Sequence, residues 1–404
     1  MRVSVICTGT ELLKGTTVNT NLSFIGQQLS EAGIVPLRAL VVGDSFADLR
    51  QALENAAVDS DLIITSGGLG PTRDDLTRNV VCDFLDLKLY RNVEIEADLS
   101  RRWANWHSTP PSKDYLLQAD VPENSIVLKN NTGTAPGLWI KGETEFILLP
   151  GPPNELNPMF ENEAMPLLKK LVAKASFTSS FMIASISELV VQGKIEPLVK
   201  GLDLSLAYCS SIEGVKVFFS GEDVTLVKQK ADEAKKLFGD AVLADNKLSL
   251  VEEISERLKA QGYTLGTAES CTGGMIASAI TDLPGSSQIF SGSIVAYGND
   301  IKAKLLGVPQ KILDTHGAVS SECVRAMVSG AVKTLDVDAA IAVSGIAGPD
   351  GGTDEKPIGL VYIAASLHDE IIIEEHVFRG NRDMVRNRAK VRALLMLREL
   401  LLRK

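Results

Sequence analysis

The sequence predicts a multidomain α/β protein, with a three-layer α/β domain over residues 1–168, a small α+β domain over 169–246 and a second α/β domain over 247–404. Three observations carry that prediction. Strand and helix signals alternate through the first 165 or so residues, the rhythm of a βαβ sheet covered by helices. The Lys-rich "KKLVAK" then gives way to a stretch with little catalytic vocabulary. From Ser249 the rhythm of strand, glycine turn and helix resumes. At 404 residues the chain is also too long for one ordinary core.

The elements follow in order. "VSVICTG", "PLRALVVGD" and "DLIITSGG" are short β-rich runs ending in Gly or Asp, and "NTNLSFIGQQLSEAG" and "FADLRQALENAAVDS" between them carry apolar residues at helical spacing. The hairpin "LWIKGETEFILLPGPP" closes the first section, and "PNELNPMFENEAMPLLKKLVAK" reads as its last helix. The middle section offers strand-like "SFMIASI" and "GVKVFFSG" and helical "TLVKQKADEAKKLFGD". Ser249 with Glu252 three residues on has the capping-box spacing. The chain ends in "RDMVRNRAKVRALLMLRELLLRK", read as an amphipathic helix.

Lys plus Arg total 41 against 51 for Asp plus Glu, a net charge of -10. A protein gripping phosphodiester backbone over a large surface leans the other way, so nucleic acid is not the expected partner. Cys7, Cys82, Cys209, Cys271 and Cys323 are scattered, with no C-x-x-C, which suits reduced thiols in a cytosol better than a disulfide frame or a zinc site. With no long apolar segment at the start and no run of about 18 apolar residues anywhere, the expectation is a cytoplasmic protein without a membrane partner.

"TLGTAESCTGGMIASAI" places Ser270 at the carboxyl end of a strand, where α/β sheets gather ligands. Gly273 and Gly274 after it free backbone N–H groups for an anion or a developing oxyanion at a helix start. A helix N-cap is the other job open to this serine. Serine needs a base, and none of His107, His316, His368 and His376 sits in a glycine-rich or charged motif. The alternative is a lysine deprotonated by burial. "SGSIVAYGNDIKAKLLGVP" offers Tyr297 at a strand end and Lys302 in the first helical turn, where the helix dipole disfavours a cation. A solvated surface lysine is the other reading. The second loop, "AAIAVSGIAGPDGGTDEKPIG", carries Ser344, Gly345, Gly348, Gly351 and Gly352 and reads as a phosphate or ribose cradle or as a lid. Arg379 and Arg382 offer a phosphate fork, or an exposed helix-end pair.

In the first section, "GTELLKGTTVNTN" and "SGGLGPTRDDLTRN" each put glycines and an acid at a strand end. Asp74 and Asp75, with Glu11 and Asp44 from two other strand ends, read as a magnesium cluster, because hard cations take oxygen ligands and share them with phosphates. Gly67, Gly68 and Gly70 let a pyrophosphate approach the backbone, with Thr72 and Thr77 as hydroxyl contacts and Asn19 as a further polar contact. Asp74 and Asp75 also suit plain helix caps.

Five of these motifs, "AESCTGG", "VAYGNDIKAKLLGV", "HGAVSSE", "SGIAGPDGG" and "GNRD", resemble the CinA C-terminal domain, the PncC-type nicotinamide mononucleotide deamidase, over nearly all of 247–404. The resemblance implies Ser270 as nucleophile, Lys302 as base, Tyr297 as its polar neighbour, Ser344 as a polar contact and Arg382 near the phosphate. The family commonly has threonine where Ser344 stands; the hydroxyl is kept. "GTELLKG", "SGGLGPTRDD", "NTGTAPG" and "LPGPPNE" resemble the molybdopterin-binding fold of the MogA and MoaB type, a Rossmann-like three-layer domain, in the version that begins CinA proteins. There it is associated with hydrolysis of ADP-ribose to AMP and ribose 5-phosphate, assisted by a divalent metal (Mg, Co or Mn) and K. The middle section sits where the family has a KH-like domain, without an evident GxxG loop. A homodimer is implied by resemblance alone.

Three function classes compete: a bifunctional pyridine-nucleotide enzyme, a binding module without turnover in the N-terminal half, and a competence-related partner of DNA. The sequence pI near 5.1 argues against the last.

Overall fold

The fold is described from a computed structural model covering residues 1–171, 177–244, 247 and 249–403. Two compact units emerge, Met1–Thr178 with Ser220–Val227, and Ser179–Phe219 with Lys228–Lys404.

In the first unit, β1 (Val3–Thr8), β2 (Arg38–Val42), β3 (Leu62–Ser66), β4 (Leu89–Arg91), β5 (Asp120–Pro122), β6 (Ile126–Leu128), β7 (Gly137–Ile140) and β8 (Glu145–Leu149) alternate with helices. Six of them form one sheet in the order β2-β1-β3-β8-β7-β6, while β4 and β5 make a separate ribbon. β1 pairs in parallel with β2 and β3, and β3 with β8. The expected hairpin is β7 and β8, and β6 extends it antiparallel, so the sheet is mixed. Every residue of β1 and β3 is buried, because helices cover both faces. Val3, Val5 and Cys7 point into the core that includes Ile25 and Leu29, whereas Ile6 joins Leu49, Leu53, Val80 and Val81 on the other side. That is the expected three-layer arrangement. The parallel strands deliver the loops after Thr8, Val42 and Ser66 to one edge.

Mostly within the second unit, β9 (Phe177–Ala184), β10 (Ser205–Ser210) and β11 (Gly214–Gly221) form a sheet in the order β10-β11-β9. β12 (Leu265–Glu269), β13 (Phe290–Val295), β14 (Ala339–Gly345), β15 (Leu360–Leu367) and β16 (Glu370–Val377) form another, ordered β13-β12-β14-β15-β16. β12 runs parallel to both neighbours, with Glu269 opposite Val295 and Val343.

Two local expectations are corrected. Ser249 occupies the N-cap of the helix Leu250–Gln261 without a side-chain cap bond; a carboxylate oxygen of Glu213 accepts from Leu250 N at 3.2 Å instead. The last helix, Arg382–Leu402, is not a one-stripe amphipath. Ala393 through Arg398 are all buried, because Ala389, Leu394 and Leu397 pack on the sheet core while Val391 and Leu395 pack on Met182, Ala184, Leu243 and Leu250. Among the described residues no helix is long and apolar enough to cross a membrane.

Candidate functional site

β12 ends at Glu269, and the chain turns through Ser270, Cys271, Thr272, Gly273 and Gly274 before the helix Met275–Thr281. Gly273 and Gly274 have φ of 60° and 95°, left-handed values that a side chain would strain. Ser270 is not the N-cap, which is Gly274. Its amide donates to Val343 O at 3.0 Å, locking the turn to β14.

Lys302 lies in the first turn of the helix Asn299–Leu306 and is 1% exposed. The surface reading is therefore excluded. Its Nζ lies 3.1 Å from Ser270 Oγ and donates to Ala296 O at 2.8 Å and Tyr297 O at 3.1 Å. No carboxylate pairs with it among the described residues. Burial lowers its pKa from the ordinary lysine value, and the nearby Cys323 and Cys271 offset this only in part. A neutral amine has two hydrogens and one lone pair. With the hydrogens given to the two carbonyls, the lone pair is left facing the serine hydroxyl, the geometry of a general base.

A cavity of about 200 Å³ opens over this pair, lined among others by Ser270, Tyr297, Asn299, Ser344, Gly345 and Arg382. Ser344 donates to Ala318 O at 2.7 Å, fixing the wall. Arg382 begins the last helix and donates to Gly348 O at 2.7 Å and Tyr297 Oη at 3.2 Å. Tyr297 is 62% exposed, so it borders the mouth. Cys271 also lines the cavity, and burial pushes its thiol up to about 11, leaving it protonated at neutral pH.

Gly273 and Gly274 do not line the cavity, and the Gly274 amide is not open to an anion. Gly274 N, Ile276 N and Ala277 N donate to the carboxylate of Glu269, at 2.9, 3.2 and 2.9 Å. Glu269 is fully buried and occupies the positive helix end itself. Sequence reasoning misses this residue, and also Arg386, which clamps the turn by donating to Cys271 O at 3.0 Å and Thr272 O at 2.9 Å. An acid ending an otherwise apolar strand was the available signal for the first.

In the first unit, the loops after β1, β2 and β3 meet at the sheet edge. Thr10 N donates to Asp44 at 2.8 Å, and Gly9 N to Val42 O at 3.0 Å. Gly67 and Gly68 have φ of 101° and 71°, and Thr77 donates to Gly67 O at 2.7 Å through its hydroxyl and to Gly68 O at 3.0 Å through its amide. Asn19 caps the helix Thr20–Glu31 by accepting from Leu22 N at 3.0 Å, while its Nδ2 is buried without a partner. Asp75 accepts from Thr72 N at 2.9 Å and Thr72 Oγ1 at 2.5 Å. Thr72 also holds the Asp74 carboxyl below its usual range, although its hydrogen bonds run to Asp75. Neither acid caps the helix Thr77–Phe84, whose N-cap is Leu76.

The four acids were expected to share a divalent cation. Among the described residues no three His, Cys, Asp or Glu side chains converge on a common point. Asp44 accepts from Thr10 N and Asp75 from Thr72, and a cation at this edge would need ligands beyond these acids, such as the oxygens of a bound phosphate.

Two family models match the chain. Residues 247–401 match the family model of the CinA C-terminal domain, and residues 4–170 match one described as "probable molybdopterin binding domain". A CinA-like protein of Akkermansia muciniphila is 40% identical over 400 residues, covering 98% of this chain and 96% of its own. The chain belongs to the CinA family. A CinA-like protein of Dictyoglomus turgidum is 36% identical over 414 residues, with both chains covered in full. A crystal structure of a competence-damaged protein (CinA) superfamily member from Klebsiella pneumoniae is 34% identical over 38% of this CinA chain and 97% of its own, with a TM-score of 0.37.

Proposed function

We propose that the second unit of this CinA protein is a Ser–Lys amidohydrolase that converts nicotinamide mononucleotide to nicotinic acid mononucleotide and ammonia. The observation that carries the reading is Lys302 Nζ, buried without a carboxylate and 3.1 Å from Ser270 Oγ. In the reaction Lys302 takes the Ser270 proton as Oγ bonds to the carboxamide carbon. The lysine returns that proton to the departing nitrogen, the C–N bond breaks and ammonia leaves. Water then attacks the ester, giving its proton to Lys302, and the acid is released as Ser270 Oγ is reprotonated. Arg382 at the cavity rim supplies the cation for the nucleotide phosphate. Ammonia release from nicotinamide mononucleotide tests this directly. Wild type releases it, and Ser270→Ala lowers the rate on the order of 10³-fold or more with the fold intact; no release by the wild type would sink the reading.

For the first unit we propose hydrolysis of ADP-ribose to AMP and ribose 5-phosphate at the edge formed by Gly9, Gly67, Gly68 and Gly70. The failure of three acids to converge favours a second reading, a nucleotide-binding module without turnover. ADP-ribose consumption with magnesium, cobalt or manganese and potassium present decides between them: turnover that Asp75→Ala abolishes supports the enzyme, and tight binding without turnover supports the module. The protein is proposed to act in the cytoplasm as a homodimer, on small nucleotides rather than nucleic acid.

A further inference from the structure

Arg78 is a charged group that the fold of the first unit leaves unanswered. It is the second residue of the helix Thr77–Phe84 and is 6% exposed. Its Nε is buried with no hydrogen-bond partner, and among the described residues its guanidinium makes no ion pair. Two acids lie close enough to feel its charge, Asp120 and Asp75, and both are committed elsewhere. Asp75 holds Thr72 at 2.9 and 2.5 Å, and Asp120 is gripped by Arg91 at 2.5 and 3.3 Å. The helix could have carried an apolar residue here, since Val80 and Val81 beyond it join the core. A guanidinium stays ionised inside a protein, and a buried charge without a counter-ion is among the most destabilising arrangements a core can contain.

Its position explains the tolerance. The residue before it, Thr77, is bonded to Gly67 and Gly68, and Asp75 three residues earlier lies against Gly70, where an added Cβ would fall 2.6 Å from its Oδ2. Arg78 thus follows directly on the residues that hold the glycine loop, at a helix start that itself favours negative charge. We infer that Arg78 is the anion anchor of the first unit, its planar fork binding two oxygens of a phosphorylated ligand seated on the Gly67–Gly70 loop. This deepens the proposal that the loop is a nucleotide site, and it stands whether or not that nucleotide is hydrolysed.

The test is calorimetric titration of the full chain with inorganic pyrophosphate and, separately, with ADP-ribose, using wild type, Arg78→Met and Arg78→Lys. Wild type binds both, and Arg78→Met weakens both by about 10- to 100-fold, with Arg78→Lys in between because it keeps the charge and loses the fork. Without ligand, Arg78→Met melts no lower than wild type, since the substitution removes an unpaired charge. Affinity unchanged in Arg78→Met, or no binding of either probe by wild type, overturns the inference. If Arg78→Met does not fold, Arg78→Lys decides: weakened binding supports the anchor and unchanged binding overturns it. Arg78-dependent binding with no ADP-ribose turnover would keep the anchor and remove the hydrolase.

Discussion

A lysine ammonium removed from water and offered only carbonyl and hydroxyl oxygens loses its proton more readily than one on the surface. Lys302 is such a residue, and its lowered pKa has two consequences with definite signs. With the free amine as the proposed base, the proposed deamidation should rise with pH through the depressed value and level off before the ordinary lysine value of 10.5; a pH–rate profile of kcat/KM checks it. The folded value also lies below the unfolded one, so protonation disfavours the fold. Stability should climb as pH rises between those two values, and Lys302→Met should abolish the climb in thermal melts at successive pH. At this scale Ser270 and Lys302 were legible as a strand-end serine and a cation at the wrong end of a helix. Glu269 and Arg78 were not, because a carboxylate that bonds backbone amides and the hydroxyl of nearby Thr267, and a guanidinium whose Nε has no partner among the described residues, form no long spacing with a partner residue.

Between β12 and the helix Met275–Thr281, one carboxylate replaces what would otherwise be water or an anion on three amides. Glu269→Ala should therefore cost about 1–3 kcal/mol for the amides left unpaired and speed hydrogen exchange at Gly274, Ile276 and Ala277. Exchange unchanged at those amides would contradict the capping role. The elements themselves could be read from the sequence because alternation and helical spacing are local properties. What ends them could not: Ser249 had the right neighbours for a capping box, yet Glu213, 36 residues earlier in the chain, reaches Leu250 N first. The last helix departs from its expected stripe for the same reason. Its second apolar surface has meaning only once Met182, Ala184 and Leu243 are beside it.

Across the second unit as a whole, Arg398 joins parts of the chain far apart in sequence. It donates to Glu253 at 2.6 Å, to Asp240 O at 2.7 Å and to Val242 O at 2.9 Å, and is 5% exposed. Arg398→Met leaves Glu253 still paired with Arg257 at 2.7 Å but strands the two carbonyls, so a loss of about 3 kcal/mol is expected, read as a lower urea midpoint at unchanged slope. A change in slope instead would mean that cooperativity had been lost. Both family matches were legible because glycine-rich loops keep their order along the chain; this long-range arginine was not, since nothing near residue 398 names its partners. Its reach has a bearing on modularity. The motifs of the candidate deamidase all lie beyond residue 247, so the gene segment looks portable. A fragment cut there would nonetheless expose Val391 and Leu395 and leave a guanidinium with half its acceptors gone. Any lineage or engineer releasing this candidate catalytic half to work alone would have to rewrite position 398 and the apolar surface around it, which makes the last helix the place where independence from the rest of the chain is recorded.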